Sequence, residues 1–268
     1  MLNYTTIDPA IFKLGPLQVR WYGLMYILGF AASYFLVRRQ IRKQHLDIDK
    51  NTTQDLFLYL IIGLIVGARL GYVIFYNLPL YLDHPLQLFA LWEGGMSFHG
   101  GLIGIIFCGF VYIKKQGISF WQCADLVAVA APIGLGLGRL GNFINAELYG
   151  RITDMPWGMV FPSGGNLPRH PSQLYEFLLE GVLLFAILWW LKNFSFKKGA
   201  LFCLFLLLYS MFRFIVEFFR EPDPQLGTII SFMTMGQILS ILMAAAGLLL
   251  FYFIPNKENL LLAKITTS

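Results

Sequence analysis

Residues 56–76 read LFLYLIIGLIVGARLGYVIFY, a run in which Arg69 is the one charged residue. An α-helix needs about 20 mostly apolar residues to cross roughly 30 Å of hydrocarbon. Outward from it, six further runs have the same character, at about 21–37, 97–113, 124–141, 173–191, 200–219 and 234–254. Composition agrees: apolar residues make up 57% before the 26 glycines are added, and charged residues only 13%. A soluble domain carries about 25% charged residues, and a water-soluble core cannot absorb so much apolar surface, whereas lipid can. The expected fold is an all-α integral membrane protein with about seven transmembrane helices. Neither a repeat nor a linker interrupts it, so residues 1–268 are expected to form a single polytopic domain.

Orientation follows from the basic residues. Twelve of the 20 Lys and Arg fall on alternate connections: Arg38, Arg39, Arg42, Lys43 and Lys50; Lys114 and Lys115; Lys192, Lys197 and Lys198; Lys257 and Lys264. The positive-inside rule makes that side cytoplasmic, with the N-terminus outside and the C-terminus inside. The formal charge of +5 thus reflects topology, and no nucleic-acid partner is expected. A basic stretch followed by an apolar core is missing at the N-terminus, so no cleavable signal peptide is expected. Cys108, Cys123 and Cys203 stand singly inside apolar runs and read as small core residues. The outer side holds the two substantial loops, at about 77–96 and 142–171, and the inner connections are short and basic.

Ionisable groups inside spans are functional candidates by default. Here they are Arg69, His99, Asp125, Arg139, Glu176, Glu180, Arg213 and Glu217, and the orientation puts all but Asp125 towards the outer leaflet. Tyr209, Arg213 and Glu217 follow each other at i, i+4 and i+8, one polar stripe on one helix face. Such a stripe can be an internal ion pair that makes Arg213 tolerable. A guanidinium at headgroup depth is also suited to a phospholipid phosphate, because its planar fork donates two parallel hydrogen bonds. Arg139 and Arg69 offer the same chemistry. His99 stands in SFHGGLIG (97–104), where Gly100 and Gly101 allow close approach of lipid or of another helix. His170, in HPSQLYE (170–176), is a second, weaker candidate.

The densest polar run is GRLGNFINAELYGR, residues 138–151, with Arg139, Asn142, Asn145, Glu147, Gly150 and Arg151. No H-E-x-x-H, G-x-x-x-x-G-K-[ST] or G-x-S-x-G sequence occurs, which disfavours metalloprotease, P-loop and nucleophile-elbow chemistry.

Residues 138–150 resemble the defining motif of the bacterial prolipoprotein diacylglyceryl transferases. HGGLIG (99–104), the Trp21-Tyr22-Gly23 entry and the Tyr209, Arg213, Glu217 stripe are similar to that family as well. The likeness extends from about Asp8 to Gly247, and the connection between Arg151 and His170 is shorter than in some relatives. The resemblance implies transfer of a diacylglyceryl group from phosphatidylglycerol to the lipobox cysteine of a prolipoprotein, forming a thioether and releasing glycerol phosphate. It implies a bacterial inner-membrane enzyme, active towards the outer face, with no metal or organic cofactor. Its partners would be phosphatidylglycerol, a lipobox peptide and membrane lipid.

On that footing His99 is the expected base, and Arg139 and Arg213 are expected to stabilise the leaving phosphate. Asn142, Asn145, Glu147 and Glu217 would orient those arginines. Tyr22 would contact headgroup or thiol, with Arg69, Gly100, Gly101, Gly150 and Tyr209 lining the substrate site. A phospholipid-binding transporter, or another phospholipid-headgroup transferase, is the alternative. A conduction path would continue in polar residues to the inner face, where Asp125 stands almost alone.

Overall fold

The computed structural model describes residues 2–5, 7–14, 17–90, 95–221, 228–230 and 233–254. Positions 91–94 of the first outer loop and the tail with Lys257 and Lys264 lie outside these residues. Each expected apolar run lies in a helix: α1 (Trp21–Lys43), α2 (Lys50–Tyr76), α4 (Phe98–Lys115), α5 (Phe120–Ile144), α8 (Ala200–Val216) and α9 (Met235–Phe253), with α6 (Ser172–Glu176) and α7 (Leu184–Leu191) covering the fifth. A short α3 (Leu78–Asp83) follows α2. Among the described residues, four helices are long and apolar enough to cross a membrane: Lys50–Phe75, Phe120–Ile144, Ser172–Leu191 and Met235–Phe253. Helix α8 is as apolar but shorter, and α1 carries Arg38, Arg39, Arg42 and Lys43 in its last turns.

By packing, the chain divides into two compact units: Met1–Val37 with Ala124–Ser268, and Arg38–Cys123. In the smaller unit, α2 and α4 pack along a seam of glycines. Gly63, Gly67 and Gly71 recur every four residues on one face of α2, opposite Gly100 and Gly104 of α4. A methyl group at Gly67 would fall on the Gly100 carbonyl oxygen, and one at Gly71 would lie 2.7 Å from the Gly100 Cα. Backbone approach of this kind replaces the hydrophobic drive that lipid cannot supply. The Ser97 side chain accepts from the Gly100 N–H at the start of α4, and the Ser97 N–H donates to the Ala68 carbonyl at 2.8 Å.

The larger unit is built around α5 to α9. Gly136 on α5 meets Gly181, where a Cβ at either would come within 3.0 Å of the other's Cα. Gly181 lies in the π-helical stretch Phe177–Leu183 that joins α6 to α7; such widened turns mark functional segments more often than ordinary helix does. Val129, Leu184, Leu188, Leu201 and Phe212 form the apolar core beside this contact. At the start of α8 the Asp125 carboxylate accepts from the N–H groups of Gly199 (2.6 Å) and Phe202 (2.9 Å), satisfying donors that the helix cannot. Asp125 is therefore a helix cap.

Three two-stranded pairings complete the described residues: β1 (Leu2–Asn3) parallel to β4 (Met159–Val160), β2 (Ala10–Leu14) antiparallel to β3 (Leu17–Arg20), and β5 (Thr228–Ile230) antiparallel to β6 (Met233–Thr234). The loop between Arg151 and His170 is short but ordered, with Ile152 and Met159 both bridging Arg169.

The seam predicts a sharp asymmetry among glycines. Gly67→Val should lower stability by at least about 1–3 kcal/mol, the range for overpacking a tight contact. Gly23→Ala, where a Cβ meets nothing within 4 Å, should leave it unchanged. Thermal unfolding of the detergent-solubilised protein measures both.

Candidate active site

The site grows from the Gly136–Gly181 contact. It brings α5 close enough for Arg139, almost one turn further on, to reach two carboxylates one helical turn apart. Arg139 Nε lies 3.2 Å from Glu176 Oε2, and its Nη2 lies 3.6 Å from Glu180 Oε2. Arg213 on α8 places Nη1 2.9 Å from Glu176 Oε1 and Nη2 2.8 Å from Glu217 Oε2. Arg220, past the end of α8, adds Nη1 at 3.4 Å from the same Glu176 oxygen. Three guanidinium groups and three carboxylates therefore share one buried cluster, with Glu176 touching all three arginines. Glu176 and Glu180 are fully buried, whereas the side chains of Arg139 and Arg213 keep 20% and 14% exposure. The carboxylates are sealed in and the arginines reach out. Arg139 thus engages the two glutamates through Nε and Nη2.

The supports are local. Glu217 also accepts from the Thr234 hydroxyl at 2.8 Å, and a Cβ at Gly236 would come 2.5 Å from its Oε1. Thr234 and Gln237 form a capping box that fixes the start of α9 beneath it. Tyr22 lies against Gly141, where a Cβ would come 2.9 Å from its ring, and its hydroxyl pairs with that of Tyr26 at 3.1 Å. Tyr209 stacks on Phe205 and packs against the apolar core.

The polar run after Arg139 has its own organisation. Glu147 Oε1 accepts from Asn142 Nδ2 (2.8 Å) and Asn145 Nδ2 (3.3 Å), and its carbonyl accepts from Gln173 Nε2 (2.6 Å). Ala146 and Leu148 hold φ of 54° and 57°, a left-handed conformation that L-residues avoid. Backbone strain of this sort persists where surrounding contacts impose it. Asn142, Asn145 and Glu147 thus bind one another, and the expectation that they grip the arginines is replaced: Glu176, Glu180 and Glu217 do so.

Other expected site residues sit differently. Arg69 is buried, and its guanidinium donates to four backbone carbonyls: Leu88 (2.9 Å), Gly95 (3.2 Å), Gln87 (2.5 Å) and Ala90 (3.2 Å). It also lies 5.2 Å from the Tyr81 ring. A fork so engaged makes Arg69 the post on which the loop after α2 is hung, with its phosphate-binding capacity already used. Gly100 and Gly101 face α2, at Gly67 and Leu64, so the neighbour their smallness admits is a helix. Gly150 bridges Arg220 and donates to the His170 carbonyl at 2.8 Å, and any Cβ there would strike the Phe219 carbonyl oxygen. Its smallness serves a chain crossing. His99 stands in the first turn of α4, and its side chain lies outside the described residues. His170 Nδ1 is 3.0 Å from the Tyr175 hydroxyl, which accepts from Trp157 Nε1 at 2.7 Å. Burial lowers the His170 pKa, favouring the neutral ring.

Sequence reasoning lists Glu176 and Glu180 among the ionisable candidates without giving them a role, and it misses Arg220. Charge balance is the signal that finds the two glutamates: each buried arginine needs a carboxylate, and Glu176 and Glu180 stand four apart near the start of their span.

The family model described as "Prolipoprotein diacylglyceryl transferase" matches residues 9–253. Curated relatives named phosphatidylglycerol–prolipoprotein diacylglyceryl transferase are similar over almost the whole chain. That of Geobacter sulfurreducens is 53% identical over 257 residues, 96% of this chain and 99% of the relative. That of Desulfotalea psychrophila is 55% identical over 254 residues, 92% and 93% of the two chains. That of Bordetella avium is 52% identical over 261 residues, 97% and 99%.

Glu176→Gln should be the most destabilising isosteric change in the cluster. It removes the one carboxylate that all three arginines share and leaves two carboxylates against three guanidinium groups; breaking a buried ion pair typically costs about 3–5 kcal/mol. The unfolding midpoint should fall far more than for Glu147→Gln, whose carboxylate is exposed and paired only with amides.

Proposed function

The chain belongs to the prolipoprotein diacylglyceryl transferase family, and we propose from that premise that the arginine–glutamate cluster is where transfer occurs. The enzyme transfers a diacylglyceryl group from phosphatidylglycerol to the cysteine thiol of a prolipoprotein. The observation that carries the assignment is the pair Arg139 and Arg213, both held by the fully buried Glu176 and both still partly exposed.

The chemistry asks for little beyond fixed charge and a base. The thiol proton passes to a base, for which His99 is the candidate. The thiolate, not the thiol, is the nucleophile. Sulfur attacks the glycerol carbon next to the phosphate oxygen, the S–C bond forms, and the C–O bond breaks with its electron pair on that oxygen. Glycerol phosphate leaves carrying one more negative charge than the phosphodiester. Arg139 and Arg213 meet that charge with donors already oriented, in surroundings of low dielectric.

The carboxylates prevent the arginines from repelling one another before the lipid arrives, and Glu217 holds Arg213 from its own helix. Tyr22, against Gly141, contacts headgroup or thiol. Asn142, Asn145 and Glu147 shape the rim, and Tyr209, within electrostatic reach of Glu180 and Arg139, lines the site beside them. Arg69, Gly100 and Gly101 hold the loop and helix contacts of the smaller unit, and Gly150 holds the chain crossing of the larger one. The acceptor is a lipobox peptide. The chain lies in the bacterial inner membrane with seven spans, N-terminus outside and C-terminus inside, and the reaction runs at its outer face. The inner-side lysines and arginines support that orientation.

Purified protein, phosphatidylglycerol and a fluorescent lipobox peptide should yield a peptide heavier by one diacylglyceryl group, and a Cys-to-Ser peptide none. Arg139→Ala should retain about 10⁻²–10⁻³ of the wild-type turnover, the usual cost of one lost charge-stabilising donor. Near-normal turnover in that variant would remove Arg139 from the mechanism.

A further inference from the structure

A cleft of about 540 Å³ opens between the N-terminal segment and the loop after α5, lined by Tyr4, Ile7, Asp8, Asn145, Ala146 and Ser163 among others. It takes no part in the steps above. Its volume falls in the range of about 300–1,000 Å³ typical of ligand sites. Both walls are fastened. The Tyr4 hydroxyl donates to the carbonyls of Phe143 and Ile144, both at 2.9 Å, at the end of α5. On the other wall Ser163 Oγ donates to the Ala146 carbonyl (3.2 Å), and Tyr149 donates to that of Ser163 (2.7 Å). Phe161, fully buried, stacks between Tyr4 and Tyr149 and ties the two together. The lining is mixed: Ile7 is exposed, Asp8 brings a carboxylate, and Asn145 Oδ1 is a buried acceptor with no donor among the described residues.

We propose that this cleft binds the prolipoprotein in extended form and takes the residues on the C-terminal side of the acceptor cysteine. The proposal rests on the transfer assignment above. The cleft begins at Ile144, five residues beyond Arg139 and therefore about 7.5 Å further out along α5. In the proposed orientation α5 runs outward, so the cleft continues from the arginines away from the hydrocarbon. A substrate whose apolar pro-segment lies in lipid leads with that segment and leaves the residues after the cysteine outside. An extended chain advances about 3.3 Å per residue. With the sulfur at the arginines, the second to fourth residues after the cysteine reach the cleft. An extended peptide brings unpaired N–H groups, which suit the free Asn145 acceptor. The Asp8 carboxylate favours basic over acidic residues there.

The test uses the full chain in vesicles of phosphatidylglycerol diluted with phosphatidylcholine. Two peptides are compared, one ending one residue after the cysteine and one continuing for five. The wild type should show a KM about tenfold lower for the longer peptide. Ile7→Trp, which fills the cleft, should erase that advantage, and Ile7→Leu should keep it. Turnover of the short peptide and the phosphatidylglycerol KM should stay at wild-type values in both variants, which also shows that they fold. Equal KM for the two peptides in the wild type would overturn the proposal. So would an Ile7→Trp effect on the phosphatidylglycerol KM instead, which would make the cleft a lipid site. No adduct from either peptide would sink the transfer assignment itself, and this proposal with it.

Discussion

One carboxylate, Glu176, is shared by three guanidinium groups, and the arrangement of the larger unit follows from having to bury it. A lone carboxylate in a membrane-embedded core is costly, and so is a lone arginine. Each becomes tolerable only if α5, α6 and α8 approach within salt-bridge reach of the same point. The Gly136–Gly181 contact makes the approach possible, and the capping box at Thr234 and Gln237 secures the Glu217 end. Remove the glycines and the charges separate; remove the carboxylate and the arginines repel. Packing and electrostatics are therefore one constraint here, and neither half is stable alone.

The same constraint explains why the cluster suits the chemistry. Three positive and three negative groups leave the interior close to neutral, so the resting site needs no counter-ion. Glu176 and Glu180 are fully buried, whereas the arginine side chains keep partial exposure, so the positive groups are the accessible part of the cluster. A reaction that adds charge to a departing phosphate gains most from donors that need not reorganise. The left-handed residues Ala146 and Leu148 and the Asn142–Glu147 cluster follow Arg139 directly in the chain, and strain of this kind gathers where geometry is functional.

Much of this was legible in the sequence, and the limits are physical. Spans depend on local composition, so each apolar run lies in a helix. The i, i+4 pairing of Arg213 with Glu217 depends on helix periodicity, and it forms as read. Partners from other helices follow no local period. Arg69 looks like Arg139 in sequence, yet a ring of backbone carbonyls takes its donors. Gly100 and Gly150 look like room for substrate, whereas a helix and a chain crossing fill that room. Glu176 and Glu180 are visible as buried acids, but only the fold identifies them as the arginines' partners. The four-residue glycine repeat of α2 is there to be read beside those of α4, and it encodes the seam directly.

In the proposed mechanism the arginines act on the charge that develops as the phosphate leaves, rather than on the resting lipid. Arg213→Lys tests it most directly, by single-turnover adduct formation alongside equilibrium binding of phosphatidylglycerol. A lysine keeps the charge but loses the planar fork that reaches Glu176 and Glu217 together. The expected result is a rate about 10²-fold lower with lipid affinity almost unchanged, the pattern of an interaction made in the transition state. Weakened lipid binding with an unchanged single-turnover rate at saturation would contradict it and make the cluster a headgroup anchor.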